Sequence, residues 1–179
     1  MVESNFEHSF HWFGNGIQVI KESIFKNFLQ MDRSEKALEY FDNKFNCAQS
    51  VLTAFANELG LSENESLRVS CAFGGGIGRQ QHTCGALTGA AKVLGLAFGK
   101  GKNDSDYKKL DSYTKTVELF DEFAKIHGST NCRKLLNDLN MNDANELELI
   151  NKLGLFDTNC RKYVADSVRL TEKIIENNK

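Results

Sequence analysis

The chain has 179 residues, of which 41% are hydrophobic and 26% charged, and its 22 basic and 24 acidic side chains leave a net charge of -2. That is room for one domain with a genuine core and one appendage at most, and it lacks the basic face of a nucleic-acid-binding protein. No window holds the roughly 18 continuous apolar residues of a membrane span. The opening string MVESNFEHSFHWF has neither the basic start nor the apolar core of a secretory signal, so a cytoplasmic, bacterial-type protein is expected.

Proline is absent, which removes the usual helix breaker and leaves punctuation to glycine. The periodicity predicts an all-α fold, an irregular bundle of about seven substantial helices plus short pieces, with no strand-like alternation in competition. The first helix is expected over Ile17 to Leu29, with Ile17, Ile20, Ile24 and Phe28 on one face. It belongs to an N-terminal extension, residues 1–30, that also holds Trp12, His8 and His11 and would either pack on the core or on a second copy in a homodimer, or form a loose arm. Met31 is a candidate internal start, and residues 31–179 would form the main domain.

In that domain a helix starts near Ser34, with Asp32 and Glu35 as a capping box and Leu38, Phe41 and Phe45 on its stripe. The next runs from Cys47 to Leu59, with Ala48, Val51, Phe55 and Leu59 inward and Gly60 at its end. Another begins at Ser62, with Glu65 three residues on, and stops at Gly74-Gly75-Gly76. The helix opening at Thr83 carries Gly85, Gly89 and Gly95. An i, i+4 pair of glycines there makes sense where another backbone packs closely, since glycine otherwise costs about 1 kcal/mol. A long helix covers Ser105 to Ile126, with Leu110, Tyr113, Val117, Phe120 and Ala124 as its stripe and Gly128 after it. A short helix follows Cys132, another spans about Asp143 to Leu153, and the last runs from Cys160 to about Glu176.

Five cysteines are too few for a disulfide scaffold and read as metal ligands, redox thiols or core filler. Four follow a favoured cap residue: Asn46-Cys47, Thr83-Cys84, Asn131-Cys132 and Asn159-Cys160. Each thiol is therefore expected in the first turn of a helix, where free amides and the helix dipole favour thiolate, with Arg133 and Arg161 adding positive charge. If the four starts converge, the nest suits an iron–sulfur cluster, a zinc ion or a reactive dithiol pair. Cys71 lacks a cap and is expected to be a buried structural thiol. There is no C-x-x-C, which argues against thioredoxin-type chemistry and a zinc ribbon, and no C-x-x-C-H haem site.

The string Gly74-Gly75-Gly76-Ile77-Gly78-Arg79 lacks the G-K-[ST] of a phosphate-binding loop and follows no strand. It reads as a tight loop that lets backbone approach the cysteines. Gly76, Gly78 and Gly85 would shape that approach, while Arg79 and His82 would donate to a sulfur or an anion. His8, His11 and His127 show no ligand spacing and read as structural. Neither a Ser/His/Asp hydrolase arrangement nor a paired-carboxylate acid/base site is visible.

Phe45-Asn46-Cys47-Ala48-Gln49-Ser50-Val51-Leu52, the glycine string, Cys84-Gly85-Ala86-Leu87-Thr88-Gly89, and Cys132 and Cys160 in their arginine-bearing contexts together resemble the C_GCAxxG_C_C family. The resemblance spans roughly residues 31 to 179. The order Cys-Gly-Ala departs from the Gly-Cys-Ala of the family label. The resemblance implies redox activity at Cys47, Cys84, Cys132 and Cys160, and a transporter-linked function through neighbouring genes. A similar domain in multihaem proteins that hold an iron–sulfur centre points the same way. The reading that joins these expectations is a redox protein whose four cysteines ligate an iron–sulfur cluster, [2Fe–2S], and exchange electrons with a donor or acceptor. A metal-free thiol–disulfide enzyme or sensor and a zinc-closed structural module are the alternatives.

Overall fold

Several helix starts in this chain are set by side chains that satisfy the otherwise unpaired first-turn amides. Asn46 accepts from the amides of Ala48 and Gln49 while the Gln49 side chain accepts from the Asn46 amide, a complete capping box. Ser62 and Glu65 make a second box, and Asp143 caps a third start through the Asn145 and Glu146 amides. Gly60 and Gly128 close two helical stretches with positive φ of 75° and 78°.

The computed structural model describes residues 32–178. Among them are eight α-helices: α1 (Arg33–Asp42), α2 (Cys47–Phe55), α3 (Glu63–Ser70), α4 (Gly85–Phe98), α5 (Asp106–His127), α6 (Cys132–Leu135), α7 (Ala144–Lys152) and α8 (Arg161–Glu176). Short 3₁₀ turns follow α2 and α3, and a π turn, Phe156–Cys160, leads into α8. No described helix is long and apolar enough to cross a membrane. The helix expected over Ile17 to Leu29, with Trp12, His8 and His11, lies outside the described residues.

The described residues from 33 to 178 form one compact unit. Its axis is α8, which buries Tyr163, Val164, Ala165, Ser167, Val168, Leu170, Thr171 and Ile174 and packs against α1, α2, α4 and α5. The α2–α4 crossing is close because Gly89 has no side chain. A Cβ there would lie 2.7 Å from the Ala48 carbonyl oxygen. The Gly85/Gly89 spacing thus has the expected cause, a neighbouring backbone.

One face was expected wrongly. On α5 the stripe Leu110, Tyr113 and Val117 is exposed, and the buried residues are Ser112, Lys115, Leu119 and Phe123. The helix is apolar on two sides, and periodicity ranks them by hydrophobicity alone. The core takes the face with Lys115 because that ammonium pairs with Asp111 and lies 4.6 Å from the centre of the Phe98 ring, which offsets its desolvation. Leu119→Ala is accordingly expected to cost about 2–5 kcal/mol in urea denaturation, and Leu110→Ala less than about 0.5 kcal/mol. The reverse ranking would restore the sequence-predicted face.

Candidate functional site

Two of the four expected cap–cysteine pairs form as expected. Cys47 is the first residue of α2 behind Asn46, and Cys132 the first of α6, where the Asn131 side chain accepts from the Lys134 amide at 3.1 Å. The other two differ. Cys84 is itself the N-cap of α4, with the Ala86 and Leu87 amides facing its sulfur, so Thr83 plays no capping part. Cys160 ends the π turn, and the chain runs helically through it into α8 without an Asn159 cap. Spacing alone cannot show that helical turns already precede Cys160.

Long-range backbone pairing brings the segments together. Residues 81–84 lie antiparallel to 130–133, centred on a Thr83–Asn131 bridge. The Cys84 amide donates to the Thr130 carbonyl at 2.9 Å, and the Cys132 amide to the His82 carbonyl at 2.6 Å. On the other side, the thiols of Cys47 and Cys160 are within hydrogen-bonding reach of each other. A Cβ on Gly85 would lie 3.2 Å from the Cys47 Cβ, so the starts of α2 and α4 touch. All four cysteines line a single cavity of about 600 Å³. Its walls are apolar, from Phe41, Leu135, Leu136, Met141, Phe156 and Tyr163, and Lys44 and Arg79 also line it.

Cys71 corrects an expectation. It is exposed, not buried, and lines the same cavity. A 3₁₀ turn, Cys71–Phe73, carries it past the end of α3. Its carbonyl accepts from the Asn46 side chain at 2.9 Å, which sets it beside the start of α2. The missing cap residue signalled a different helical context, but not which way the thiol faces.

The glycine-rich string is a left-handed turn. Gly75, Gly76, Ile77, Gly78 and Arg79 all have positive φ, from 57° to 69°. Ile77, a β-branched residue at φ 67°, is strained there. The turn is held by Gln81, whose side chain donates to the Leu139 carbonyl and accepts from the Met141 amide, and by Arg79, which donates to the Met141 carbonyl at 2.6 Å. This geometry packs Gly76 against Cys132, and a Cβ added there would lie 2.7 Å from the Cys132 Cβ. Gly78, Arg79 and Gly85 line the cavity. His82 has an exposed side chain and serves Cys132 through its carbonyl. His127 packs between Phe123 and Tyr163 with Nε2 3.2 Å from Asp166, a structural placement as expected.

Cys47, Cys84 and Cys132 are not activated as their positions near helix starts suggested. Cys84 and Cys132 are pushed up to about 12, first by burial and then by the neighbouring cysteines. Cys47 lies well above its ordinary value, chiefly through its hydrogen bond with Cys160 and then through burial. The amides facing Cys84 oppose the shift but are outweighed. A helix terminus supplies about 2 kcal/mol at best, less than the cost of several buried anions in one cavity. Nor do the flanking arginines help: Arg161 pairs with Asp42, and Arg133 donates to the Asp138 carbonyl.

A single tetrahedral ion with bonds of about 2.3 Å needs sulfurs about 3.8 Å apart. Among the described residues no three His, Cys, Asp or Glu side chains are grouped to hold one ion. Four cysteines that line one apolar cavity are a donor set of the kind that both zinc ions and iron–sulfur clusters take.

Residues 45–174 match the family described as "Putative redox-active protein (C_GCAxxG_C_C)". The chain belongs to the C_GCAxxG_C_C family. It is also similar to a protein of Archaeoglobus fulgidus named "Uncharacterized protein", with 29% identity over 163 residues that cover 83% of this chain and 99% of the relative. No solved structure matches the chain. The span shared with the C_GCAxxG_C_C family takes in all five cysteines and the left-handed turn.

Two outcomes follow from this geometry. Gly76→Ala should cost about 1–3 kcal/mol through overpacking on top of its positive φ, whereas Gly78→Ala, whose Cβ meets nothing within 4 Å, should cost the conformational term alone. Equal losses in urea denaturation would mean that contact with Cys132 is unimportant. The raised thiols bind protons more tightly in the folded than in the unfolded chain. Their contribution to stability is therefore full below about pH 9 and is lost as pH rises towards about 12. Stability of the metal-free protein should fall over that window, and the fall should be shallower in Cys84→Ser. An identical slope in the variant would contradict the assignment.

Proposed function

We propose that the cysteine cavity is an electron-handling centre and that Cys47, Cys84, Cys132 and Cys160 hold an iron–sulfur cluster there. The carrying observation is that four cysteines from four separate segments line one apolar cavity wide enough for more than an ion. The cluster would supply one-electron transfer; the chain supplies ligands, dielectric and hydrogen bonds. The Ala86 and Leu87 amides stabilise negative charge on the Cys84 sulfur. Apolar walls keep water from the sulfurs, and the left-handed turn holds Cys132 in place through Gly76. Burial and crowding favour the protonated forms of Cys47, Cys84 and Cys132, so loading would release protons and be favoured by higher pH. The partner is then an electron donor or acceptor.

One observation favours a second reading. The Cys47 and Cys160 thiols interact with each other, as the two members of a metal-free dithiol that cycles through a disulfide would. Anaerobic iron and sulfide loading of the four single Cys→Ser variants separates the two. Loss of most visible absorbance and iron in each is the expected result, with Cys71→Ser loading normally. Unchanged absorbance in all four would sink the cluster reading. Loss of two free thiols on mild oxidation of iron-free protein, abolished in Cys160→Ser, would then favour the dithiol.

A further inference from the structure

We propose that Cys71 is the outer thiol of this cavity and reacts with a small disulfide that carries carboxylates, passing the oxidation inward to Cys47. This goes beyond the cluster reading and concerns the protein when its cysteines are free. Cys71 is the exposed cysteine among five that line the cavity, and the other four are buried or half-buried. Reactive cysteines are partly exposed and stand in electropositive surroundings. Lys44 and Arg79 bring two positive charges to the same cavity. Both residues line it, both are exposed, and neither forms an ion pair among the described residues. Each is also fixed in an unusual backbone conformation, with φ of 71° and 62°.

The volume and chemistry agree on the class of reactant. About 600 Å³ is the size of a small-molecule site. Apolar walls with two cations would accept a molecule with an apolar or thioether body and acidic ends. The inner thiol is placed by the Asn46 side chain, which caps α2 at Cys47 and donates to the Cys71 carbonyl at 2.9 Å. The two cysteines are thus tied to one residue.

The exchange balances without any further oxidant. The Cys71 thiolate attacks one sulfur of the external disulfide. That S–S bond breaks, a mixed disulfide forms on Cys71, and the first small thiolate leaves and takes up a proton. Cys47, its proton passed to solvent, then attacks the Cys71 sulfur. A Cys47–Cys71 disulfide forms and the second small thiol leaves. Two protein thiols are oxidised by two electrons, and one external disulfide is reduced to two thiols.

The test uses the full chain, iron-free and reduced, with glutathione disulfide as the anionic probe and 2-hydroxyethyl disulfide as the neutral one, followed by thiol counting and intact-protein mass spectrometry. Wild type should lose two thiols without keeping an adduct. Cys47→Ser should keep one glutathione, mapped to Cys71 by peptide analysis. Cys71→Ser should react slower by roughly an order of magnitude. The double variant Lys44→Gln/Arg79→Gln should lose roughly tenfold with glutathione disulfide but little with the neutral probe. Wild-type rates in Cys71→Ser, or an adduct on another cysteine in Cys47→Ser, would overturn the assignment. An unchanged anionic-to-neutral rate ratio in the double variant would overturn the choice of reactant. Iron loading of Cys71→Ser reports on the cluster separately, so the two ideas fail independently.

Discussion

The site depends on one short stretch of backbone pairing. Cys84 and Cys132 lie 48 positions apart in the chain, yet each donates its own amide across the same antiparallel contact, to Thr130 and to His82. The left-handed turn of residues 75–79 leads into that contact and is anchored by Gln81 to residues 139 and 141. Without the turn the chain could not reverse closely enough to press the Gly76 backbone against Cys132. Strain at Ile77 is tolerated because the surrounding hydrogen bonds hold the conformation in place.

The electrostatics of the cavity follow from crowding. A lone cysteine at an exposed helix start would ionise easily. Here several sit together behind apolar walls, and each thiolate would raise the cost of the next. Burial and mutual repulsion therefore favour the protonated forms of Cys47, Cys84 and Cys132. Cys71 is the exposed cysteine of that cavity, which Lys44 and Arg79 also line. The cavity thus has a protonated interior and an accessible outer thiol, an asymmetry suited to selective chemistry.

Local signals in the sequence carried much of the fold. The boxes at Asn46 and Ser62 and the stops at Gly60 and Gly128 appear where their residue types predict, because capping is decided within four or five residues. The Gly85/Gly89 pair correctly announced a close helix crossing. The inward face of α5 was not legible, since a lysine on the buried side is acceptable only with Asp111 and Phe98 in place. The same limit hid the orientation of Cys71 and the helical turn before Cys160.

The sequence by itself determined an all-helical chain and most of its helix boundaries, because helix propensity and caps are short-range properties. Tertiary structure alone decided that four cysteines share one cavity, that burial outweighs the helix dipole and favours the protonated forms of Cys47, Cys84 and Cys132, and that a fifth cysteine stands among them exposed to solvent. Those features depend on which distant segments pack together and how much water they exclude, and no local pattern of residues encodes either.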